Sequence, residues 1–247
     1  MNNFIIGFRV TTSTLNGKGH IVRCTELAKA FKYKVIFYTD PNYKSVIKIN
    51  TIPESSKFSA DHAIKDLKNK RINALFFDNY NIDQNLIEEV SQTGICAVID
   101  DYKIQWKYPL IFSPNLGSKV NHYKNNKNAF AGPKYALISK QFHDHALLNS
   151  KFEKAKIISH VLIQMGAIDS KNNIKRILNL LLNKNIKHIT VVLNKHAPHW
   201  QEIKNILKLF NSSSLIEVKT VNNMIKLYRQ HNLIIGAAGL SLIERVS

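Results

Sequence analysis

Short apolar runs that alternate with amphipathic stretches are the feature that most limits what this chain can fold into. Runs such as KVIFYTD (34–40) and GICAVID (94–100) are apolar almost throughout and end in aspartate. Strands buried on both faces of a sheet have this composition, and strands that alternate with helices form parallel sheets. The pattern therefore predicts an α/β protein built from βα units.

The predicted elements fall into two sets, separated by the polar passage 143–156. The first set has strands over 4–10, 34–40, 73–79, 94–100 and 109–115, and helices over 20–31, 60–70 and 83–92. The second has strands over 160–166, 188–194, 215–221 and 232–239, and helices over 171–183, 199–210 and 222–230. We expect two Rossmann-like domains, 1–148 and 149–247, with a ligand-binding cleft between them beyond the carboxyl ends of the strands.

The charge and the cysteines narrow the class of protein. The chain carries 35 lysines and arginines against 17 acidic residues, a net charge of +18. These basic residues are scattered over the whole length rather than clustered, so we expect no nucleic-acid partner. The two cysteines, Cys24 and Cys96, form no disulfide framework, which indicates a reducing cytoplasm. No run approaches the roughly 20 apolar residues of a spanning helix, so no stable membrane insertion is expected. The sequence gives no sign of an oligomeric state.

The motif GxGHxxR, Gly17–Arg23, stands between the first predicted strand and helix. Glycines allow the backbone to approach a ligand closely, and the unpaired N–H groups of a helix start attract anions. A helix start also disfavours an imidazolium, so His20 is expected to be neutral and able to accept a proton. His20 is therefore a candidate general base, and Gly17, Gly19 and Arg23 are candidate substrate contacts. The alternative is a histidine that only begins its helix. Cys24 belongs to the apolar stripe of that helix and is predicted to be core.

The second half repeats a strand, a small-residue turn and a helix start. QMGAIDSKNN (164–173) and IIGAAGLSLIE (234–244) both have this order. Such a turn can hold a diphosphate, and a carboxylate further along the helix can accept hydrogen bonds from ribose hydroxyls. The predicted nucleotide-binding residues are Gly166, Asp169, Gly236, Ala237, Ala238, Gly239 and Glu244. A capped helix without a ligand is the alternative for the first of these turns.

Carboxylates also end two predicted strands, in FFDNY (76–80) and VIDDY (98–102). Asp78, Tyr80 and Asp101 are candidate substrate contacts, and the alternative is that the aspartates cap the loops that follow. The histidines in HDH (143–145) and KHAPHW (195–200) have no third ligand nearby in the sequence. Since a metal site needs at least three ligands, we expect no metal and no other cofactor.

These motifs, with FAGPKYALISKQF (130–142) and NMIKLY (223–228), resemble in order and spacing the UDP-sugar hydrolases of the pseudaminic acid pathway. Those enzymes are similar to spore-coat polysaccharide proteins and, more distantly, to the transferase that adds N-acetylglucosamine to the lipid-linked peptidoglycan precursor. The resemblance runs through essentially the whole chain. It implies a GT-B fold and metal-independent, inverting hydrolysis of UDP-2,4-diacetamido-2,4,6-trideoxy-β-L-altropyranose, with His20 activating water. It also assigns the nucleotide to Gly236–Gly239 and Glu244.

Three departures from that family bear on activity. Thr11 stands where the family has an aspartate, and Ala167 where it has the second of two glycines. Family members continue beyond the position of Glu244 and Arg245, so we expect the second domain to be incomplete. Two other functions stay open: a glycosyltransferase of the same fold, which would need an acceptor, and a non-catalytic protein that binds a nucleotide sugar or nucleic acid.

Overall fold

The computed structural model describes residues 4–10, 19–39, 60–78, 83–142, 144, 157–166, 168–218, 221 and 223–246. The chain divides into two compact units, Met1–Lys140 and Gln141–Ser247. Two candidate substrate contacts, Gly17 and Tyr80, lie outside the described residues, as do Thr11 and Ala167.

The first unit is a six-stranded parallel sheet in the order β2-β1-β3-β4-β5-β6. Its strands are β1 (Ile5–Val10), β2 (Lys34–Tyr38), β3 (Ala74–Asp78), β4 (Ile95–Ile99), β5 (Leu110–Ser113) and β6 (Ala129–Ala131). Its helices are α1 (Gly19–Lys29), α2 (Ala60–Lys68) and α3 (Gln84–Thr93). Because the strands are parallel, their carboxyl ends lie along one edge of the sheet.

Helices cover both faces of this sheet, which is why its strands are apolar throughout. On one face, Ile21 and Cys24 of α1 pack against strand residues that include Phe8. Phe8 is fully buried and stacks on Phe37 and Phe76 of the two neighbouring strands, with ring centroids 5.1 and 4.9 Å away. The opposite face packs against the buried sides of α2 and α3. The two apolar clusters fix the sheet and α1 as one body.

The second unit is a four-stranded parallel sheet in the order β10-β7-β8-β9. Its strands are β7 (His160–Gln164), β8 (His188–Leu193), β9 (Ser213–Glu217) and β10 (Leu233–Gly236). Its helices are α4 (Asn173–Leu181), α5 (Trp200–Leu207), α6 (Met224–Arg229) and α7 (Leu240–Val246). Apolar side chains of α4 and α5 pack on β7 and β8, the two central strands of the sheet.

The structure confirms the predicted fold class, since both units are Rossmann-like α/β sheets with parallel strands. Each predicted strand and helix overlaps an observed one. One strand was not predicted: β6 has three residues, Ala129–Ala131, at the edge of its sheet. It is too short to form an apolar run that stands out in the sequence. In the part of the chain that the structure describes, no helix is long and apolar enough to cross a bilayer.

Candidate active site

The candidate site of the first unit lies where the carboxyl ends of β3 and β4 meet the start of α1. Asp78 is the last residue of β3, and Asp101 follows β4 by two residues. His20 and Arg23 are in the first two turns of α1. The parallel sheet thus brings together four residues that are up to 81 positions apart in the sequence, from His20 to Asp101.

His20 is buried, and its ring contacts the carboxylate of Asp78. Its Nδ1 lies 2.6 Å from Oδ1 of Asp78. The residue is 5% exposed, and Asp78 is 1% exposed, so the pair is shielded from bulk water. A hydrogen bond between two such groups is stronger in this environment than it would be at the surface.

Arg23 links the two aspartates. Its Nε donates to Oδ2 of Asp78 at 2.7 Å, and a terminal nitrogen also donates to Asp78. The same guanidinium donates to both oxygens of Asp101, at 3.0 and 2.8 Å. Asn115, just after β5, donates a further hydrogen bond to Asp101 at 3.0 Å. The planar guanidinium can serve both carboxylates because its five N–H groups form a fixed fork.

These contacts decide the charge of the cluster. Burial alone would raise the pKa of Asp78, but the hydrogen bonds from Arg23 and His20 and the guanidinium charge outweigh it, so this pKa is lowered. Burial opposes the charge on Arg23 in the same way, and its two aspartate partners raise its pKa despite it. Asp78 is therefore a carboxylate and Arg23 a cation at neutral pH.

Cys24 lies beside this cluster and is part of the core, as predicted. It is fully buried, and its thiol donates to Oδ2 of Asp78 at 3.2 Å. Burial, followed by the charge of Asp78, raises the pKa of this thiol well above its usual value. The thiolate is the nucleophilic form of cysteine, and the raised pKa keeps Cys24 in its protonated form.

The neighbouring Asp100 has a different use. Its carboxylate accepts backbone hydrogen bonds from Tyr102 and Ile104, at 2.8 and 2.9 Å, and so fixes the loop after β4. Burial raises the pKa of Asp100. Of the two aspartates in VIDDY, only Asp101 joins the cluster around Arg23. Gly19 is exposed, and a side chain built on it would meet nothing within 4 Å.

In the second unit, the turn after β7 holds Gly166 and Asp169. Gly166 is exposed and has a φ of +84°, which a side chain would strain. Asp169 is buried, and its carboxylate accepts from the backbone N–H of Asn173 and Ile174, at 3.0 and 2.8 Å. These bonds are those of a helix cap, and they occupy both oxygens of Asp169. Gly166 thus leaves its backbone accessible, whereas Asp169 holds α4.

The turn between β10 and α7 contains the other predicted nucleotide-binding residues. Ala238 and Gly239 are exposed, and Gly236 and Ala237 are half-buried. The guanidinium of Arg245 folds back over this turn and donates to the carbonyl oxygen of Ala237 at 2.8 Å. An added Cβ at Gly236 would overlap this guanidinium and would lie 2.8 Å from the backbone oxygen of Gln164. Gly236 is therefore required chiefly by its close approach to the backbone of Gln164.

Glu244 lies one turn after the start of α7, and it is half-buried. Burial, with the charge of Glu244 as the next cause, raises the pKa of Tyr228 to about 12. The Tyr228 hydroxyl donates to the side-chain oxygen of Gln164, at the end of β7, at 2.9 Å. A cluster of Gln164, Tyr228 and Glu244 thus lies at the carboxyl ends of β7 and β10.

Sequence reasoning missed four of these residues: Asn115, Gln164, Tyr228 and Arg245. The signal for Asn115 and Gln164 was a polar residue at the end of a buried apolar run, which places it at the ligand-binding edge of a parallel sheet. Tyr228 and Arg245 had no such signal, because only the fold brings these helix residues to the strand ends. Among the described residues, no group of three or more histidine, cysteine, aspartate or glutamate side chains could hold a metal ion.

No protein-family model matches this chain. An uncharacterized protein of Methanocaldococcus jannaschii is 25% identical to it over 244 residues. The match covers 92% of this chain and 50% of that protein, so the chain spans about half the length of this curated relative.

Solved structures share the fold at low sequence identity. MurG of Acinetobacter baumannii matches with a TM-score of 0.55 and 12% identity, over 96% of this chain and 73% of that one. The glycosyltransferase SnogD of Streptomyces nogalater gives 0.55 and 10%, over 98% and 79%. UDP-GlcNAc 2-epimerase of Neisseria meningitidis, in a structure bound to UDP-GlcNAc, gives 0.52 and 12%, over 96% and 78%. These likenesses establish a GT-B type of α/β fold.

Proposed function

We propose that this chain hydrolyses a UDP-linked amino sugar at its anomeric carbon and releases UDP and the free sugar. The observation that carries the proposal is the position of His20, which Asp78 holds at the carboxyl ends of the first unit's parallel strands. Open parallel sheets bind their ligands at that edge. The fold shared with an epimerase bound to UDP-GlcNAc supports a UDP-sugar as the ligand.

In this reaction His20 is the general base. It takes a proton from a water molecule as the water oxygen forms a bond with the anomeric carbon. The bond between that carbon and the β-phosphate oxygen breaks, its electron pair leaves with UDP, and the anomeric configuration inverts. A positioned base of this kind contributes about 10²- to 10⁴-fold to the rate. Arg23 and Asp101 are proposed to contact the sugar at the same edge.

The second unit is proposed to hold the nucleotide. The exposed backbone at Gly166, Ala238 and Gly239 would donate hydrogen bonds to the diphosphate, whose departure such donors assist. Glu244 would accept hydrogen bonds from the ribose hydroxyls. Asp169 is used differently, since its carboxylate is occupied by the start of α4. Its proposed part is to fix the turn that carries Gly166.

The motif resemblance is what favours hydrolysis over transfer. The proposed sugar is the diacetamido-trideoxy altropyranose implied by the motif resemblance. A glycosyltransferase reaction is the competing function, and the fold shared with SnogD is compatible with it.

A panel of UDP- and CMP-linked amino sugars tests the proposal, with nucleotide release followed by chromatography in the absence of any acceptor. We expect release of UDP by the wild type, release at least 100-fold slower by His20→Gln, and wild-type rates for His196→Gln. The last variant is a matched control, because His196 is exposed. Release that requires an added acceptor would favour the glycosyltransferase. UDP binding without turnover would favour a binding protein, and full activity of His20→Gln would remove the base.

A further inference from the structure

We infer that Asp78 is the positioning residue of the proposed reaction: it fixes the tautomer of His20 that leaves the lone pair on Nε2. The inference rests on the proposed function and extends it from the base to the group that orients the base. The sequence alone gave Asp78 two other readings, a substrate contact or a loop cap. The structure places its carboxylate oxygen 2.6 Å from Nδ1 of His20 instead.

Two groups lie next to Nδ1 of His20, and they favour opposite tautomers of the ring. A carboxylate accepts only, so Asp78 requires a proton on Nδ1. A terminal nitrogen of Arg23 lies 3.1 Å from the same Nδ1 and donates only, so it favours the opposite tautomer, with the proton on Nε2. Asp78 is nearer and carries a full negative charge, and it therefore decides the tautomer. Without Asp78, the donor on Arg23 would favour a lone pair on Nδ1, the nitrogen that it faces.

Asp78 is itself held in place, because described residues donate hydrogen bonds to both of its carboxylate oxygens. Arg23 donates to both of its oxygens, and the Cys24 thiol donates to Oδ2 at 3.2 Å. Arg23 is in turn fixed by Asp101 on the loop after β4. Because both oxygens of Asp78 accept hydrogen bonds from these donors, the carboxylate cannot rotate away from the ring of His20. A residue that orients a catalytic base must be held in this way. The same carboxylate stabilises the imidazolium that forms when His20 takes the proton.

Nitrogen NMR of protein labelled in its histidine rings reads the tautomer without any substrate. The chain has 10 histidines, and the spectrum of His20→Gln identifies the signal of His20 by its loss. In the neutral ring of the wild type we expect a protonated Nδ1 and an Nε2 with the shift of an unprotonated nitrogen. In Asp78→Ala we expect the reverse. Cys24→Ala is the matched control, because it removes a contact to Asp78 but none to His20, and it should keep the wild-type tautomer.

Kinetics provide a second readout in Asp78→Asn, which keeps the shape of the side chain and removes its charge. We expect kcat to fall about 10²- to 10⁴-fold with KM changed less than threefold. The split between kcat and KM is the readout, because a purely structural role for Asp78 would also disturb substrate binding and raise KM.

The two readouts separate the inference from the function on which it rests. An Nδ1–H ring that Asp78→Ala reverses, in a protein that releases no UDP, supports the positioning role and overturns the proposed function. A wild-type ring protonated on Nε2 overturns the inference, whatever the activity. Turnover by Asp78→Asn within threefold of the wild type overturns it as well.

Discussion

The cluster at the strand ends of the first unit consists of side chains that hold one another, whereas the turns after β7 and β10 in the second unit expose the backbone of small residues. In the first unit, His20, Arg23 and Asp78 are each at most 9% exposed and are joined by hydrogen bonds and ion pairs. In the second, Gly166, Ala238 and Gly239 are exposed. On the proposed function, the first arrangement holds the base in place before a ligand binds, and the second leaves backbone donors for the diphosphate.

This contrast predicts different costs of substitution in the two units. A change in the first should reduce stability and rate together, because each side chain there supports another. A change at the exposed turns of the second should alter affinity for the nucleotide with little effect on stability. The two tryptophans allow each unit to be followed separately, because Trp106 lies in the first unit and Trp200 in the second.

The largest expected effect is that of Arg23→Met. It leaves Asp78 buried without its cation, and breaking a buried ion pair in this way costs about 3–5 kcal/mol. Denaturant unfolding of the first unit, followed by Trp106 fluorescence in a Trp200→Phe background, measures the loss. The lowered pKa of Asp78 stabilises the wild type above the unfolded-state value, and this contribution disappears as the pH falls through the folded value. The difference between wild type and variant should therefore narrow below about pH 4.

Lys68→Met is the matched control for that change. Lys68 pairs with Glu89 at 3.3 Å, and the two side chains are 48% and 65% exposed. Exposed pairs contribute less than about 1 kcal/mol. A loss of stability from Arg23→Met no larger than the loss from Lys68→Met would show that the cluster is not the rigid part of the first unit.

Two glycines of the second unit should separate packing from binding. A Cβ at Gly236 would lie 2.8 Å from the backbone oxygen of Gln164 as well as against Arg245, so Gly236→Ala should cost about 1–3 kcal/mol of stability. A Cβ at Gly239 meets nothing within 4 Å, so Gly239→Ala should leave stability unchanged. If the turn approaches the diphosphate, Gly239→Ala still weakens UDP binding about tenfold, or roughly 1.4 kcal/mol. Unfolding and titration calorimetry measure the two quantities. Unchanged UDP affinity in Gly239→Ala would count against the nucleotide site at this turn.

The smallest expected effect is a pH dependence confined to the second unit. Burial lowers the pKa of His231 despite a hydrogen bond with the backbone oxygen of Leu227, and the nearby His188 and His160 lower it further. The ring of His231 also forms a hydrogen bond with the Thr190 hydroxyl at 2.7 Å. Because the folded value is below the unfolded one, stability is present above about pH 6.5 and is lost as the pH falls below it. The Trp200 signal in a Trp106→Phe background should show an unfolding midpoint that falls between pH 7.5 and 5.5. His231→Gln should flatten this fall, and equal slopes in the two proteins would contradict the assignment.

Much of the fold could be predicted from the sequence, because burial on both faces makes each central strand an apolar run. The predicted strand over 73–79 is observed as Ala74–Asp78, and the predicted helix over 83–92 as Gln84–Thr93. Strand ends are marked by the aspartates that follow them. β6 was not predicted, because a strand of three residues at the edge of a sheet does not form a long apolar run.

The candidate site was harder to predict than the fold. His20 and Asp78 were each selected from local patterns, but their pairing depends on a strand order that no local pattern encodes. The turn at Asp169 resembles a ligand-binding turn in sequence. In the structure the carboxylate of Asp169 accepts hydrogen bonds from the start of α4. A capping aspartate and a ligand-binding aspartate look alike in sequence, and only the hydrogen-bond partners distinguish them.

The most direct test of the proposed reaction is the fate of oxygen from labelled water. The wild-type protein is incubated with the UDP-linked diacetamido-trideoxy sugar in H₂¹⁸O, without an acceptor. The masses of the free sugar and of UDP are measured by mass spectrometry immediately after release. Attack of water on the anomeric carbon predicts the label in the free sugar and none in UDP. Label in the UDP phosphate, or no release of UDP unless an acceptor is added, would contradict hydrolysis at the anomeric carbon.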